Sequence, residues 1–311
     1  MHRFAFSLAS AALALTVSTP VLANPQMFVY KGAGCEGKGR LPRYQGVMGR
    51  HLDGVNDFLS TESWQKLLSD ADWALGCWKN TGYRLSLGVP LIVNGGSLSA
   101  AAAGEYDDEF RRLGAMLVAK GQANAIIRLG WEFNGGWYAW SANKDPVSFV
   151  GAFRHVVGVL RATPGQKFRI VWNPSSGAGN QAPETLWPGD AYVDMVGLDV
   201  YNQSWHAQDT NPTLRWQTLL SQNYGLKWAA QFSAAHHKRL VIPEWATGTR
   251  PDGHGWGDDP LFIHNMAAWM RANNVAYEGY WDFTASDYDG TMSAGKFPQA
   301  LAAYKAEFGP K

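Results

Sequence analysis

Short apolar runs alternate with helical patterns along this chain, and that alternation restricts its fold more than any other feature. Candidate strands occur at Met27 to Tyr30, Gln45 to Met48, Arg84 to Leu91, Ala125 to Leu129, Phe168 to Trp172, Val193 to Leu198, Arg239 to Pro243 and Ala276 to Trp281. Between them, Tyr106 to Lys120 carries Phe110, Leu113, Met116 and Leu117 at helical spacing, with acidic residues in its first turn and Gly121 just past its end. Asp145-Pro146 opens a helix running to about Arg161, with proline at the first helical position. Leu214 to His236 and Asp259-Pro260 to Asn273 read the same way. Near-continuous apolar strands separated by helices imply a parallel sheet covered by helices. Eight such units predict an α/β chain folded as a (β/α)8 TIM barrel, one catalytic domain over residues 24–311. A doubly wound open sheet is the alternative. It is the weaker one, because Gly130-Trp-Glu-Phe-Asn-Gly-Gly136 has neither dinucleotide spacing nor a Lys-Ser/Thr pair.

The chain begins Met-His-Arg, is apolar from Phe4 to Val17, and reaches Val21-Leu-Ala23 before Asn24. A charged start, a short apolar stretch and a small-residue cleavage signal predict a secretory signal peptide over residues 1–23, and hence a secreted or periplasmic protein. Later apolar runs are too short to span a membrane. The 27 basic and 26 acidic residues give a net charge of +1, and losing Arg3 with the leader leaves the charges balanced. Without a basic stripe, nucleic acid is not an expected partner. The 15 Trp, 12 Tyr and 14 Phe exceed the needs of one core, and several fall in Gly-rich loops. A neutral ligand with apolar faces suits them, and the protein is expected to work as a monomer. Cys35 and Cys77 are the only cysteines, and in an oxidising compartment they are expected to pair. No His/Cys cluster has ligand spacing, and the adjacent His236 and His237 would point in different directions on a helix. No metal and no cofactor is expected.

Two glutamates stand at the carboxyl ends of predicted strands, in Arg128-Leu-Gly-Trp-Glu132 and Val241-Ile-Pro-Glu-Trp245. They follow the fourth and seventh candidate strands, so a barrel would bring both to its C-terminal face. Each has a tryptophan beside it, Trp131 and Trp245, and Glu132 leads into a Gly-rich aromatic loop with Trp137 and Trp140. A carboxyl pair walled by aromatic rings is what cleavage of a glycosidic bond needs. One group protonates the leaving oxygen, the other attacks or activates water, and the rings stack on sugar faces.

With Gly136-Trp-Tyr-Ala-Trp140, Tyr192-Val-Asp-Met-Val-Gly-Leu-Asp-Val-Tyr201 and Tyr280-Trp-Asp282, these motifs resemble clan A glycoside hydrolases, most nearly family 26, whose best-known members are β-mannanases. The resemblance implies a retaining endo-β-glycosidase, mannan endo-1,4-β-mannosidase-like, acting on β-mannan, a related β-glycan or a bacterial exopolysaccharide. It also implies Glu132 as acid/base, Glu244 as nucleophile, Tyr201 as a phenol bonded to the nucleophile, and Trp281 as the platform under the sugar. The family usually has His where this chain has Trp131, a position that shapes the subsite next to the scissile bond. Asp199 lies two residues before Tyr201 on one strand, so both face the same side and Asp199 is a candidate for sugar hydroxyls. Trp137 and Trp140 are candidate stacking walls, and Asn173 and the Arg250 to His254 loop are candidate rim residues, His254 being better read as solvated. Arg128 fits an ion pair as well as a site role. Two rivals remain: an inactive carbohydrate-binding barrel, which has no use for two strand-end carboxylates, and a polysaccharide lyase, for which no His/Tyr/Arg motif is present.

Overall fold

A computed structural model describes residues 23–177, 179 and 181–310. Apart from Ala23, the expected signal peptide lies outside the described residues. In chain order the elements are β1 (Gln26–Tyr30), α1 (Gly34–Met48), β2 (Gly54–Phe58), α2 (Trp64–Trp78), β3 (Arg84–Val89), α3 (Leu98–Ala102), α4 (Asp107–Ala119), β4 (Ile126–Leu129), α5 (Pro146–Arg161), β5 (Arg169–Trp172), β6 (Met195–Tyr201), α6 (Pro212–Ser221), α7 (Leu226–Ala235), β7 (Arg239–Ala246), α8 (Pro260–Ala272), β8 (Tyr277–Trp281) and α9 (Pro298–Phe308). The strands are parallel and follow the order β1-β8-β7-β6-β5-β4-β3-β2. Between β1 and β2, Asp53 donates its backbone N–H to the Met27 carbonyl at 3.0 Å and accepts the Met27 N–H on its carboxylate at 2.8 Å. The chain is a (β/α)8 barrel.

The second strand differs from the expectation. Gln45 to Met48 is the last turn of α1, in which Leu41, Tyr44 and Met48 are buried at helical spacing. Gly49 ends that helix in the left-handed region (φ 70°) and returns its N–H to the Gln45 carbonyl at 2.8 Å. The true β2, Gly54-Val-Asn-Asp-Phe58, holds two buried polar residues, Asn56 facing the barrel interior and Asp57 facing α1 and α2, so it does not read as an apolar run. The predicted helix from Leu214 to His236 is likewise two helices, α6 and α7. They break at Gly225, where a Cβ would come within 2.7 Å of the Leu219 carbonyl. Elsewhere the caps act as the sequence suggests: Asp145 accepts the Ser148 N–H at 3.0 Å, and Asp259 accepts that of Phe262 at 3.1 Å, each before a proline at the helix start.

Alternation along the strands sorts two cores. Ile127, Leu129, Ile170, Leu198, Ile242 and Tyr280 face the helices. Phe28, Ile126, Val171, Met195, Val241 and Tyr277 form a separate apolar plug. Arg128 sits two residues beyond Ile126 on the same face of β4, and is fully buried. Cys35 and Cys77 form a disulfide joining α1 to α2, with Cα atoms 5.0 Å apart. At the barrel's edge, the Asn24 side chain donates to the Glu307 carbonyl at 2.8 Å and accepts from Arg271 at 3.2 Å.

Candidate active site

Glu132 owes its position to a sharp turn. After β4 the backbone passes through the left-handed region at Gly130 (φ 54°) and again at Glu132 (φ 52°), where a non-glycine residue is strained. The surroundings hold it there. The Glu132 N–H donates to the Asn173 carbonyl at 2.6 Å, the Glu132 carbonyl accepts from Gly135 at 2.9 Å, and Asn134 bonds to both backbone groups of Ser175 at 2.8 Å. Glu244 is placed by an irregularity in β7. Pro243 has no N–H to give the ladder, and the pairing register shifts on both flanks of it. The Asn56 amide donates across the barrel to the Pro243 carbonyl at 2.6 Å, over Gly279, where a Cβ would lie 2.1 Å from that oxygen.

Arg128 bridges Glu244 and Asp199. It donates to Asp199 at 2.6 Å, to Glu244 at 3.1 Å and to Asn173 at 2.7 Å, with the Phe58 ring 5.1 Å away. Tyr201 donates its hydroxyl to the other oxygen of Glu244, and Trp137 donates its indole N–H to Glu132 at 2.8 Å. One oxygen each of Glu132, Asp199 and Glu244 lies within 4.8 Å of the others. One guanidinium thus faces three carboxyls in a poorly solvated space. Desolvation and the charge of Glu244 raise the Glu132 carboxyl to about 7, against the opposing pull of Trp137 and Arg128. Burial also pushes Asp199 well up, although Arg128 opposes it. The three carboxyls have a spacing that would suit a cation, but Arg128 already supplies the positive charge to two of them.

Glu132, Trp137, Tyr201, Glu244 and Trp281 line a cavity of about 520 Å³. Trp281 is backed by Tyr30, stacked at 4.4 Å. Trp131 is nearly buried and lines an adjoining recess of about 430 Å³, together with Phe58, Tyr138 and again Glu244 and Trp281. Asp199 is buried and borders a smaller polar hollow of about 160 Å³, which shares Tyr201 and Trp205 with the main cavity. The carboxyl pair therefore occupies the middle of a continuous trough.

Three expected contact residues do not reach it. Trp140 is wholly buried, its N–H on the Trp131 carbonyl at 2.8 Å and its ring stacked under Tyr138 at 4.3 Å. Trp245 alternates with Glu244 on β7 and so points outward, bonding Glu278 at 2.6 Å. Asn173 is buried against Arg128. Arg250 reaches the cavity rim, while His254 is half-buried with its ring nitrogen 3.0 Å from the Ser204 carbonyl, rather than freely solvated. Tyr30, Phe58, Tyr138, Gln203 and Trp205 were not singled out by the sequence. Tyr30 and Tyr138 had a signal: Tyr30 ends β1 in register with Trp281, and Tyr138 lies inside the aromatic loop. Nothing local marks Phe58 or Trp205.

The model of the family described as Glycosyl hydrolase family 26 matches residues 116–230. Endoglucanase H of Acetivibrio thermocellus is 26% identical over 281 residues, covering 86% of this chain and 28% of that protein. Beta-1,3-xylanase TXYA of Vibrio sp. is 27% identical over 212 residues, covering 65% of this chain and 41% of that protein. The chain thus spans less than half the length of these curated relatives. Among solved structures, a double mutant of Cellulomonas fimi endo-beta-1,4-mannanase superposes with a TM-score of 0.65 at 17% identity, covering 91% of this chain and 70% of that one.

Proposed function

We propose that this barrel, whose residues 116–230 match the family-26 model, is a secreted, retaining endo-β-glycosidase that cuts a neutral β-linked polysaccharide by double displacement. The observation that carries this reading is that Glu132 and Glu244 each bring a carboxylate oxygen to within 4.8 Å of the other, the close approach that a retaining pair needs. Glu244 attacks the anomeric carbon while the bridging oxygen takes the proton of Glu132 and departs. Water then attacks the glycosyl-enzyme, giving its proton to the Glu132 carboxylate as the bond to Glu244 breaks. Arg128 and Tyr201 hold Glu244 as an aimed carboxylate, and the desolvated Glu132 keeps a proton to give.

The trough runs on either side of the carboxyl pair, and its exposed Trp137 and Trp205 offer platforms beyond the central Trp281, which supports cleavage within a chain. The similar proteins are named for a glucanase, a beta-1,3-xylanase and a beta-1,4-mannanase, so β-mannan is one of several backbones to test. Export is supported by the leader-like residues 1–23 and the disulfide.

A panel of β-mannan, β-glucans, β-xylans and bacterial exopolysaccharides, scored by product length, tests substrate and endo action. For mechanism, Glu244→Ala should abolish turnover, and Glu132→Ala should spare an activated aryl glycoside more than a polysaccharide. Azide should rescue Glu132→Ala with a β-azide product. If both variants kept more than about a tenth of the activity, a loss under ~1.4 kcal/mol, the catalytic reading of this pair would fail.

A further inference from the structure

Among the residues around Glu132, Trp137 is the one whose ring is both open to solvent, at 56% exposed, and bonded to the carboxylate. We infer that Trp137 is the positioning residue of Glu132: its indole N–H aims the carboxylate and sets its readiness to lose a proton, while its open face receives the sugar. This rests on the acid/base role given to Glu132 above.

The geometry assigns both jobs to one side chain. Glu132 leaves the backbone from a left-handed residue, so its direction is not the one a continuing strand would impose, and its side chain needs a lateral hold. Trp137 supplies this at 2.8 Å to Oε2. The indole is brought back over its own loop by Gly135, where a Cβ would lie 2.3 Å from the ring. That glycine is in turn fixed, its N–H on the Glu132 carbonyl at 2.9 Å and its carbonyl accepting from Ser141 at 2.5 Å. An indole N–H only donates, so it favours the ionised carboxylate. The other groups facing Glu132 are Glu244 and Asp199, which favour its protonated form, and Arg128 and Ser175, which favour the anion, with the Tyr138 and Tyr201 phenols beside them. Losing the Trp137 donor therefore tips the carboxyl further toward its acid form.

Trp137→Phe keeps an aromatic face and removes the N–H. Its kcat/KM profile on a neutral oligosaccharide should carry the alkaline limb to higher pH by about one unit, with the acidic limb in place. Gly135→Ala, which displaces the indole without deleting it, should move the same limb the same way. An alkaline limb unmoved in both variants, with only KM raised, would make Trp137 a sugar platform alone and overturn the inference. Glu132→Gln separates this failure from that of the underlying reading. It should erase the limb, and a limb that survives it would show that Glu132 is not the titrating acid.

Discussion

Arg128 decides whether the centre of the barrel can exist. It is fully buried, surrounded by Asp199, Glu244 and Asn173, and two of these partners are carboxylates that would otherwise repel each other in a space with little water. Arg128→Met should therefore cost about 3–5 kcal/mol in denaturant unfolding at pH 7, the range for breaking a buried ion pair from one side. The deficit should shrink at pH 5, because carboxyls that have lost their counter-ion take up protons and stop repelling. An equal loss at both pH values would place the defect in packing rather than charge. Sequence reasoning left Arg128 between two roles for a physical reason. Strand alternation puts its side chain on the same face as Ile126, yet it cannot tell that Asp199 and Glu244 converge there from strands far away in the chain.

In β8, Glu278 occupies the outer layer of the barrel and, among the described residues, forms no ion pair. It accepts the Trp245 N–H at 2.6 Å and the Tyr304 hydroxyl at 2.8 Å, and burial raises its carboxyl to about 8. The folded protein thus holds a proton that the unfolded chain releases near the ordinary carboxyl value, so folding stability falls as pH rises from about 4.5 to 8. Glu278→Gln mimics the protonated form, its amide oxygen accepting from Trp245 and its NH2 donating to Tyr304. It should flatten that slope and gain a few kcal/mol at pH 8, with little change at pH 4.5, in unfolding titrations at the two values. A slope unchanged by the substitution would reassign the proton elsewhere. The same strands show why β2 was misplaced: the periodic signal of a strand is apolar, and Asn56 and Asp57 are inside because they have partners, Pro243 for one and Gly34, Phe58 and Trp78 for the other. The two strand-end glutamates were legible because their flanking runs are apolar and their neighbours aromatic. Trp245 misled for the same reason, since an indole beside an acid in sequence need not be beside it in space, and Trp140 misled because one ring of an aromatic loop can be packed beneath another, here Tyr138.

Across the molecule, the disulfide ties together the two helices that frame Asp57. Gly34 and Trp78, the immediate neighbours of Cys35 and Cys77, both donate to that buried carboxylate, at 2.9 and 2.6 Å. Replacing both cysteines with serine should lower stability by about 4 kcal/mol for a bridge spanning 42 positions, measured as a shift in denaturant midpoint. The same midpoint with and without a reductant would refute the bridge. The barrel and its eight-unit count could be read from the sequence, whereas the trough could not, because it is assembled from loops and from single residues such as Phe58 and Trp205 whose meeting is decided by closure. That closure has one more result. Asn24 is stitched to α8 and α9 through Arg271 and Glu307, so the two ends of the described chain meet at one place. Over the described residues the path is nearly a closed loop, and its order of strands has no privileged first member. A circular permutant that joins these ends and opens at the exposed Pro164-Gly165 turn would keep every neighbour in the barrel while renumbering the path between them.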